Sequence, residues 1–500
     1  MTIFSTDFDF LLMSLREQFQ LSSAIAVLHW DQEVFMPELA LQSRSDQLAV
    51  LTAQLHRLQS SSHFERQLSE FLSLEDGQLL RDDFSVSEKR LLFLTYKQWR
   101  KASVLPESFV ADFAALKSQA QFYWQKARSS DDPSDFLPYL SRIIESSRLY
   151  AGYMDPHADA YDVLLDDYEE GMTGTRLEAV FQPLQQELKD LLAGISKNSR
   201  LVFDRPFCLD KQQSLNLDLL QALGFSLSEG RLDRSAHPFT TSFHPKDVRL
   251  TTRYQEKDLF EALSSTVHEA GHGLYEQGLP LEWAGLPIGQ AVSLGIHESQ
   301  SRLWENMVMK SYPFWQGFYP KVQSIFSDNL SKVSLAAFYQ HCLTVKPGLI
   351  RVESDEVTYN MHIFIRFDLE RRLISGKLGV TDLPEAWAAA YEAMLGIRPK
   401  TYAEGFLQDV HWSCGLFGYF PTYALGNIYA AQLFDQIKKD LPDIYTDFEK
   451  GDFSALLTWL RQHVHSQASL YQADDLMTRC CGRGLDAGPF LAYLREKYID

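Results

Sequence analysis

Helical periodicity dominates this chain, with apolar residues returning at three- and four-residue steps. Leu48, Leu51, Leu55 and Leu58 fall on one helix face. Ser85 and Glu88 form an S-x-x-E capping box ahead of Leu91-Leu92-Phe93-Leu94. Pro106 opens another helix, with Phe109, Phe113 and Leu116 as its apolar stripe. Pro183 to Ile195 repeats the pattern through Leu184, Leu188, Leu191 and Leu192. Each of these stripes reads as core.

The rhythm changes over residues 239–254. Phe239-Thr240-Thr241-Ser242-Phe243 and Val248-Arg249-Leu250-Thr251-Thr252-Arg253-Tyr254 are rich in β-branched and aromatic residues, and His244-Pro245-Lys246-Asp247 between them is turn-like. A short β-hairpin is predicted at about 239–254 in an otherwise mostly α protein. No repeat, low-complexity tract or linker forces a boundary, so residues 1–500 are expected to form a single domain.

Composition narrows the picture by exclusion. The charge is 47 − 66 = −19, which argues against nucleic acid as a partner, since phosphate binding rests on Lys and Arg. Cys208, Cys342, Cys414, Cys480 and Cys481 are irregularly spaced and contain no C-x-x-C, so neither a disulfide framework nor a thiolate metal site is expected. The first nine residues carry Asp7 and Asp9 where a leader would be basic, and no apolar run is long enough to span a bilayer. These features predict a cytoplasmic protein without a membrane partner.

The chemistry lies just after the predicted hairpin. His268-Glu269-Ala270-Gly271-His272 is an H-E-x-x-H sequence, and Leu259, Leu263 and Val267 carry a helical apolar step into it. With Gly278 and Pro280 as stop signals, a metal helix is predicted at about 258–277. Residues four apart on a helix project side by side, so His268 and His272 can share one ion while Glu269 reaches a water as general base. Gly271 and Gly273 each cost about 1 kcal/mol against Ala in a helix, which points to close packing or to room for metal and substrate. A catalytic site of this kind needs a third protein ligand. On spacing, Glu298, Glu305 and Glu276 compete and Glu298 leads; an ion pair with Arg302 is the plain alternative for Glu298. His297 beside it is either a supporting group or a packed residue.

The chain also resembles the carboxypeptidase Taq family of metallocarboxypeptidases. His237-Pro238-Phe239 matches H-P-F, and Asp247-Val248-Arg249-Leu250-Thr251 matches D-x-R-x-T. Then follow the metal helix, His297-Glu298-Ser299-Gln300-Ser301-Arg302 for H-E-S-x-x-R, Ile350-Arg351-Val352-Glu353-Ser354-Asp355 for I-R-x-x-A-D, and Gly405 to Trp412 for G-x-x-Q-D-x-H-W. Ser354 departs from the usual Ala, and Glu170 stands where Pro is common in the segment around Asp166-Asp167-Tyr168. The resemblance implies Glu298 as third ligand and a helical, zincin-like body with a deep groove and a small sheet near the metal. It also implies a homodimer, and release of single C-terminal residues from peptides with one divalent ion, Zn or Co.

Recognition of a free C-terminus calls for a two-pronged donor, and Arg351 is the first choice, with Arg249 and Arg302 behind it. A structural ion pair is the plain alternative for all three. His411 and Tyr423 are candidate donors to the tetrahedral intermediate. His237 is a further candidate for lining the groove. Two other functions keep the same scaffold: an oligopeptidase or dipeptidyl carboxypeptidase, and an inactive binding protein.

Overall fold

The computed structural model describes residues 6–195 and 200–499. Residues 1–5, part of the opening segment read above, lie outside them. Among the described residues the chain is a stack of helices around one three-stranded sheet, and no helix is long and apolar enough to cross a membrane.

Buried apolar side chains form two clusters. The smaller gathers Phe8, Leu11, Leu15, Phe64, Leu68, Leu92 and Trp99 from the N-terminal helices, closed by Leu286 and Ile288. The larger spans most of the remaining chain and surrounds the helix Leu259–Gly278. Ser85 and Glu88 make the expected reciprocal cap: Ser85 N donates to Glu88 Oε2 at 2.7 Å and Glu88 N to Ser85 Oγ at 3.3 Å. Pro106 caps the helix Glu107–Ser130, whose Leu116 is buried and whose Phe109 and Phe113 are half-buried.

Two stripes differ from expectation. Leu48, Leu51, Leu55 and Leu58 share a face of the helix Leu41–Gln59, but none of that helix is fully buried. It lies chiefly against the helix Thr6–Val34, and a two-helix layer covers an apolar face only in part. Pro183 sits inside the helix Gly174–Gly194, which starts earlier from a cap in which Thr173 Oγ1 accepts from Arg176 N. The stripe it was read from is core at Leu184, Leu188 and Leu191.

The hairpin is present as β2 (Thr240–His244) antiparallel to β3 (Asp247–Thr252), with Thr240 opposite Leu250 and a register shift between Ser242 and His244. A strand not expected from sequence, β1 (Gly230–Arg234), pairs parallel to β3 on its other side. β2 is therefore an edge strand. Val248 and Leu250 point inward against the helix Leu259–Gly278, which starts where Asp258 Oδ1 accepts from Glu261 N at 3.0 Å. That helix packs in turn on the helix Leu294–Arg302, which runs into a π-helical stretch, Leu303–Met309.

Candidate metal centre

His268 and His272 stand one turn apart on the Leu259–Gly278 helix, and Glu298 faces them from the Leu294–Arg302 helix. The close approach is made possible by Gly271, where a Cβ would fall 2.5 Å from Gln300 O and 2.6 Å from Ser301 Cα. Glu298 Oε2 lies 3.6 Å from His268 Nε2 and 3.4 Å from His272 Nε2. Three donors about 2.1 Å from a tetrahedral ion stand about 3.4 Å apart, so the set fits one divalent cation. Among the described residues this trio is the one group whose ligand atoms converge in that way.

The other oxygen of Glu298 accepts from Arg302 Nε at 2.7 Å, and Arg302 continues to Glu305 Oε2 at 3.1 Å. The ion pair anticipated as an alternative is therefore present alongside the convergence on the histidines. Glu305 and Glu276, the other two carboxylates suggested by spacing, lie one layer out. Glu305 Oε2 takes His268 Nδ1 at 2.9 Å, while Glu305 Oε1 accepts from Ser264 Oγ and Lys310 Nζ, each at 2.9 Å. Glu276 Oε1 takes His297 Nε2 at 2.8 Å, and His297 Nδ1 stands 2.6 Å from His272 Nδ1. Spacing could not separate the three carboxylates, because Glu276 follows His272 by one helical turn and Glu305 follows Glu298 by two.

Burial opposes a charge on either ring. On His268 the Glu298 carboxylate and the bond to Glu305 outweigh burial and raise the pKa. On His272 burial prevails and the pKa falls to about 4, leaving a neutral imidazole near neutral pH. Glu269 shares the helix but turns aside, and its Oε2 accepts from Thr240 Oγ1 of β2 at 2.6 Å. Burial raises its pKa, the nearby His268 and the Thr240 hydrogen bond offsetting part of the rise.

A second cluster is built on Arg351, which is 5% exposed. Its Nε and Nη2 both donate to Asp409 Oδ1, at 3.0 and 2.8 Å, and its Nη1 donates to Tyr359 Oη at 2.8 Å. Arg366 holds the other Asp409 oxygen, and together the two arginines keep that carboxyl far below its usual range against the effect of burial. Tyr359 joins this cluster to the first, since Arg302 lies 4.4 Å over its ring. Tyr423 sits under Arg351, 4.9 Å from its guanidinium carbon, and its hydroxyl is 3.2 Å from His411 Nε2. Burial and the charge of Arg351 push the His411 pKa down to about 3. Sequence had singled out Arg351, His411 and Tyr423 singly; their shared partners Asp409 and Tyr359 were missed, although Asp409 belongs to the quoted motif around His411.

Two candidates lie elsewhere. Arg249 pairs with Asp247 at 2.9 Å and stacks 4.3 Å over Trp30 of the Thr6–Val34 helix, on the sheet face opposite Val248 and Leu250. His237 is exposed on the loop between β1 and β2. A cavity of about 580 Å³ opens beside the first cluster, lined by β2 and its turn, His297, Glu276, Tyr168, Glu170 and Lys97 among others.

A family model described as carboxypeptidase Taq (M32) metallopeptidase matches residues 11–498. The chain is similar to thermostable carboxypeptidase 1 of Thermus thermophilus, at 41% identity over 507 residues covering 98% of this chain and 97% of that protein. It is likewise similar to thermostable carboxypeptidase 1 of Pyrococcus furiosus, at 38% identity with 98% of each covered. The crystal structure of an M32 carboxypeptidase from Deinococcus radiodurans R1 superposes with a TM-score of 0.95 at 35% identity, covering 99% of both chains.

Proposed function

The chain belongs to the carboxypeptidase Taq (M32) metallopeptidase family, and from that premise we propose that it releases single C-terminal residues from peptides. The observation carrying this reading is the convergence of His268, His272 and Glu298 with Glu269 held alongside. A divalent cation there supplies Lewis acidity toward a peptide carbonyl and a water. Two imidazoles and one carboxylate suit zinc, and cobalt after it.

Glu269 takes the proton of the attacking water and passes it to the departing amine. Its burial favours this role, since a carboxylate with a raised pKa is the stronger base. Thr240 keeps one Glu269 oxygen occupied and so sets the plane of the other. The peptide lies extended along β2, the edge strand, with its upstream residues in the adjoining cavity. Tyr423 donates to the developing oxyanion. His411 is a weaker choice, because an imidazole with a pKa near 3 is neutral and its Nε2 already faces the Tyr423 hydroxyl. Arg351 meets the terminal carboxylate with N–H groups beyond the three already bonded, an arginine having five.

The test compares an N-blocked dipeptide with its C-terminally amidated twin. Cleavage of the free acid at least 100-fold faster is expected. Equal rates would remove the carboxypeptidase assignment in favour of an oligopeptidase. Release of dipeptides from longer peptides would favour a dipeptidyl carboxypeptidase instead.

A further inference from the structure

We propose that His297 and Glu276 form a positioning relay that fixes the tautomer of His272 and thereby its hold on the cation. The proposal rests on the metal-site reading above and extends it to two residues outside the trio that would hold the cation.

The proton positions follow from the chain of contacts. A carboxylate only accepts, so His297 Nε2, 2.8 Å from Glu276 Oε1, carries a hydrogen. In a neutral ring His297 Nδ1 is then bare. The 2.6 Å contact between the two Nδ1 atoms needs one hydrogen, which must come from His272. His272 Nε2 is left with its lone pair, facing Glu298 Oε2 at 3.4 Å. Were His297 to carry both hydrogens, His272 would have to accept at Nδ1 and turn an N–H toward the cation. Ligation and the relay therefore require the same proton arrangement.

The two ligand histidines are supported unequally. His268 meets its carboxylate directly, and Glu305 is itself fixed by Arg302, Lys310 and Ser264. His272 meets its carboxylate through a ring, and that ring and Glu276 both line the cavity of about 580 Å³. Glu276 lies seven residues after Glu269 on one helix face; Thr240 of β2 bonds Glu269, and Ser242, two residues along that strand, lines the same cavity as Glu276. The edge strand thus steadies the base directly, while the far end of the relay borders the cavity.

The test measures Zn²⁺ affinity by chelator competition and the visible absorption of the Co²⁺-loaded protein, both without peptide. His297→Phe fills the space but accepts nothing, and is expected to bind Zn²⁺ 10- to 100-fold more weakly with an altered Co²⁺ spectrum. His297→Asn, whose Oδ1 stands about where Nδ1 accepted, is expected to recover affinity to within about fivefold of wild type. Wild-type affinity and spectrum in His297→Phe would overturn the proposal, as would equal losses in both variants, which would mean packing alone. If His297→Phe does not fold, Glu276→Ala carries the test: a loss of fivefold or more is expected, and unchanged affinity overturns the relay. A wild-type protein that binds neither Zn²⁺ nor Co²⁺ would instead remove the metal-site reading itself.

Discussion

Replacing Gly271 with alanine sets two effects of opposite sign against each other. Within a helix, Ala is favoured over Gly by about 1 kcal/mol. At this position, however, the new methyl would stand 2.5 Å from Gln300 O, 2.6 Å from Ser301 Cα and 2.8 Å from Gln300 C. All three atoms are backbone, so no rotamer change relieves the overlap. Ordinary contact begins at 3.4 Å, so the two helices must part by about 1 Å or carry the strain. Overpacking of this kind costs roughly 1–3 kcal/mol. Set against the helix gain, the expected net change is a destabilisation of up to about 2 kcal/mol. The functional effect is larger in proportion. Glu298 lies two residues before Gln300, and ligand distances are held to about 0.2 Å, so a displacement of about 1 Å breaks the set. Urea unfolding of the metal-free protein and Zn²⁺ competition measure the two consequences. Gly152→Ala is the control: it lies in the helix Leu137–Met154 with nothing within 4 Å of a new methyl, and should stabilise by up to about 1 kcal/mol. If Gly271→Ala unfolds no earlier than wild type and binds Zn²⁺ equally well, the close-approach reasoning is wrong.

Glu269→Gln should retain Zn²⁺ to within about threefold and lose turnover by 10²- to 10⁴-fold; steady-state kinetics showing normal kcat would remove Glu269 as the base. Glu169, fully buried against Gly295 N and Tyr429 Oη, has its pKa raised by burial to about 7 from 4.5. The folded state therefore holds a proton that the unfolded chain releases at lower pH, and this group's contribution to stability falls by about 3 kcal/mol as pH rises from 4.5 to 7. Glu169→Gln should match wild type near pH 5 and exceed it near pH 8 in urea midpoint; a difference independent of pH would refute the assignment. Glu170, opposed by burial but held below its usual pKa by Arg90 in a two-pronged pair at 2.8 and 3.2 Å, acts in the other direction. Its stabilisation is present above the ordinary carboxylate range and fades as pH falls. Because the pair is partly solvated, Glu170→Gln should cost about 1 kcal/mol near pH 7 and almost nothing near pH 3, read as the shift in urea midpoint.

Much of the fold was legible because long helices repeat their pattern over several turns. The Leu259–Gly278 helix shows this well, with its apolar step and its glycine end pointing to the bounds that the structure has. β1 was not legible. Gly-Arg-Leu-Asp-Arg has neither alternation nor β-branched residues, and it becomes a strand because β3 offers it a parallel partner far along the chain. Its one signal is Gly230, where a Cβ would fall 2.2 Å from Val248 O. The half-covered stripe of Leu48 to Leu58 shows the converse limit: periodicity reports which face is apolar and says nothing of how much protein lies over it. The histidine pair was readable because its spacing is set by a helical turn, whereas Glu298, on a second helix, competed with Glu305 and Glu276 on spacing. The cluster of Arg351, Asp409, Tyr359 and Tyr423 was readable only in pieces, because those residues meet through tertiary packing alone.

Spacing made the ion pair of Glu298 with Arg302 and its place beside the histidines look like rival readings. They coexist because a carboxylate has two oxygens with separate lone pairs. Arg302 holds Oε1 through Nε at 2.7 Å, which fixes the plane of the group and presents Oε2 to both imidazoles. The guanidinium is itself fixed from two sides, by Glu305 and by the Tyr359 ring. An ion pair in this position does not compete for the oxygen that faces the imidazoles; it decides which oxygen that is. A lysine could supply the charge here but not the rigid fork, so the planar geometry of arginine, rather than its sign, is what the site draws on.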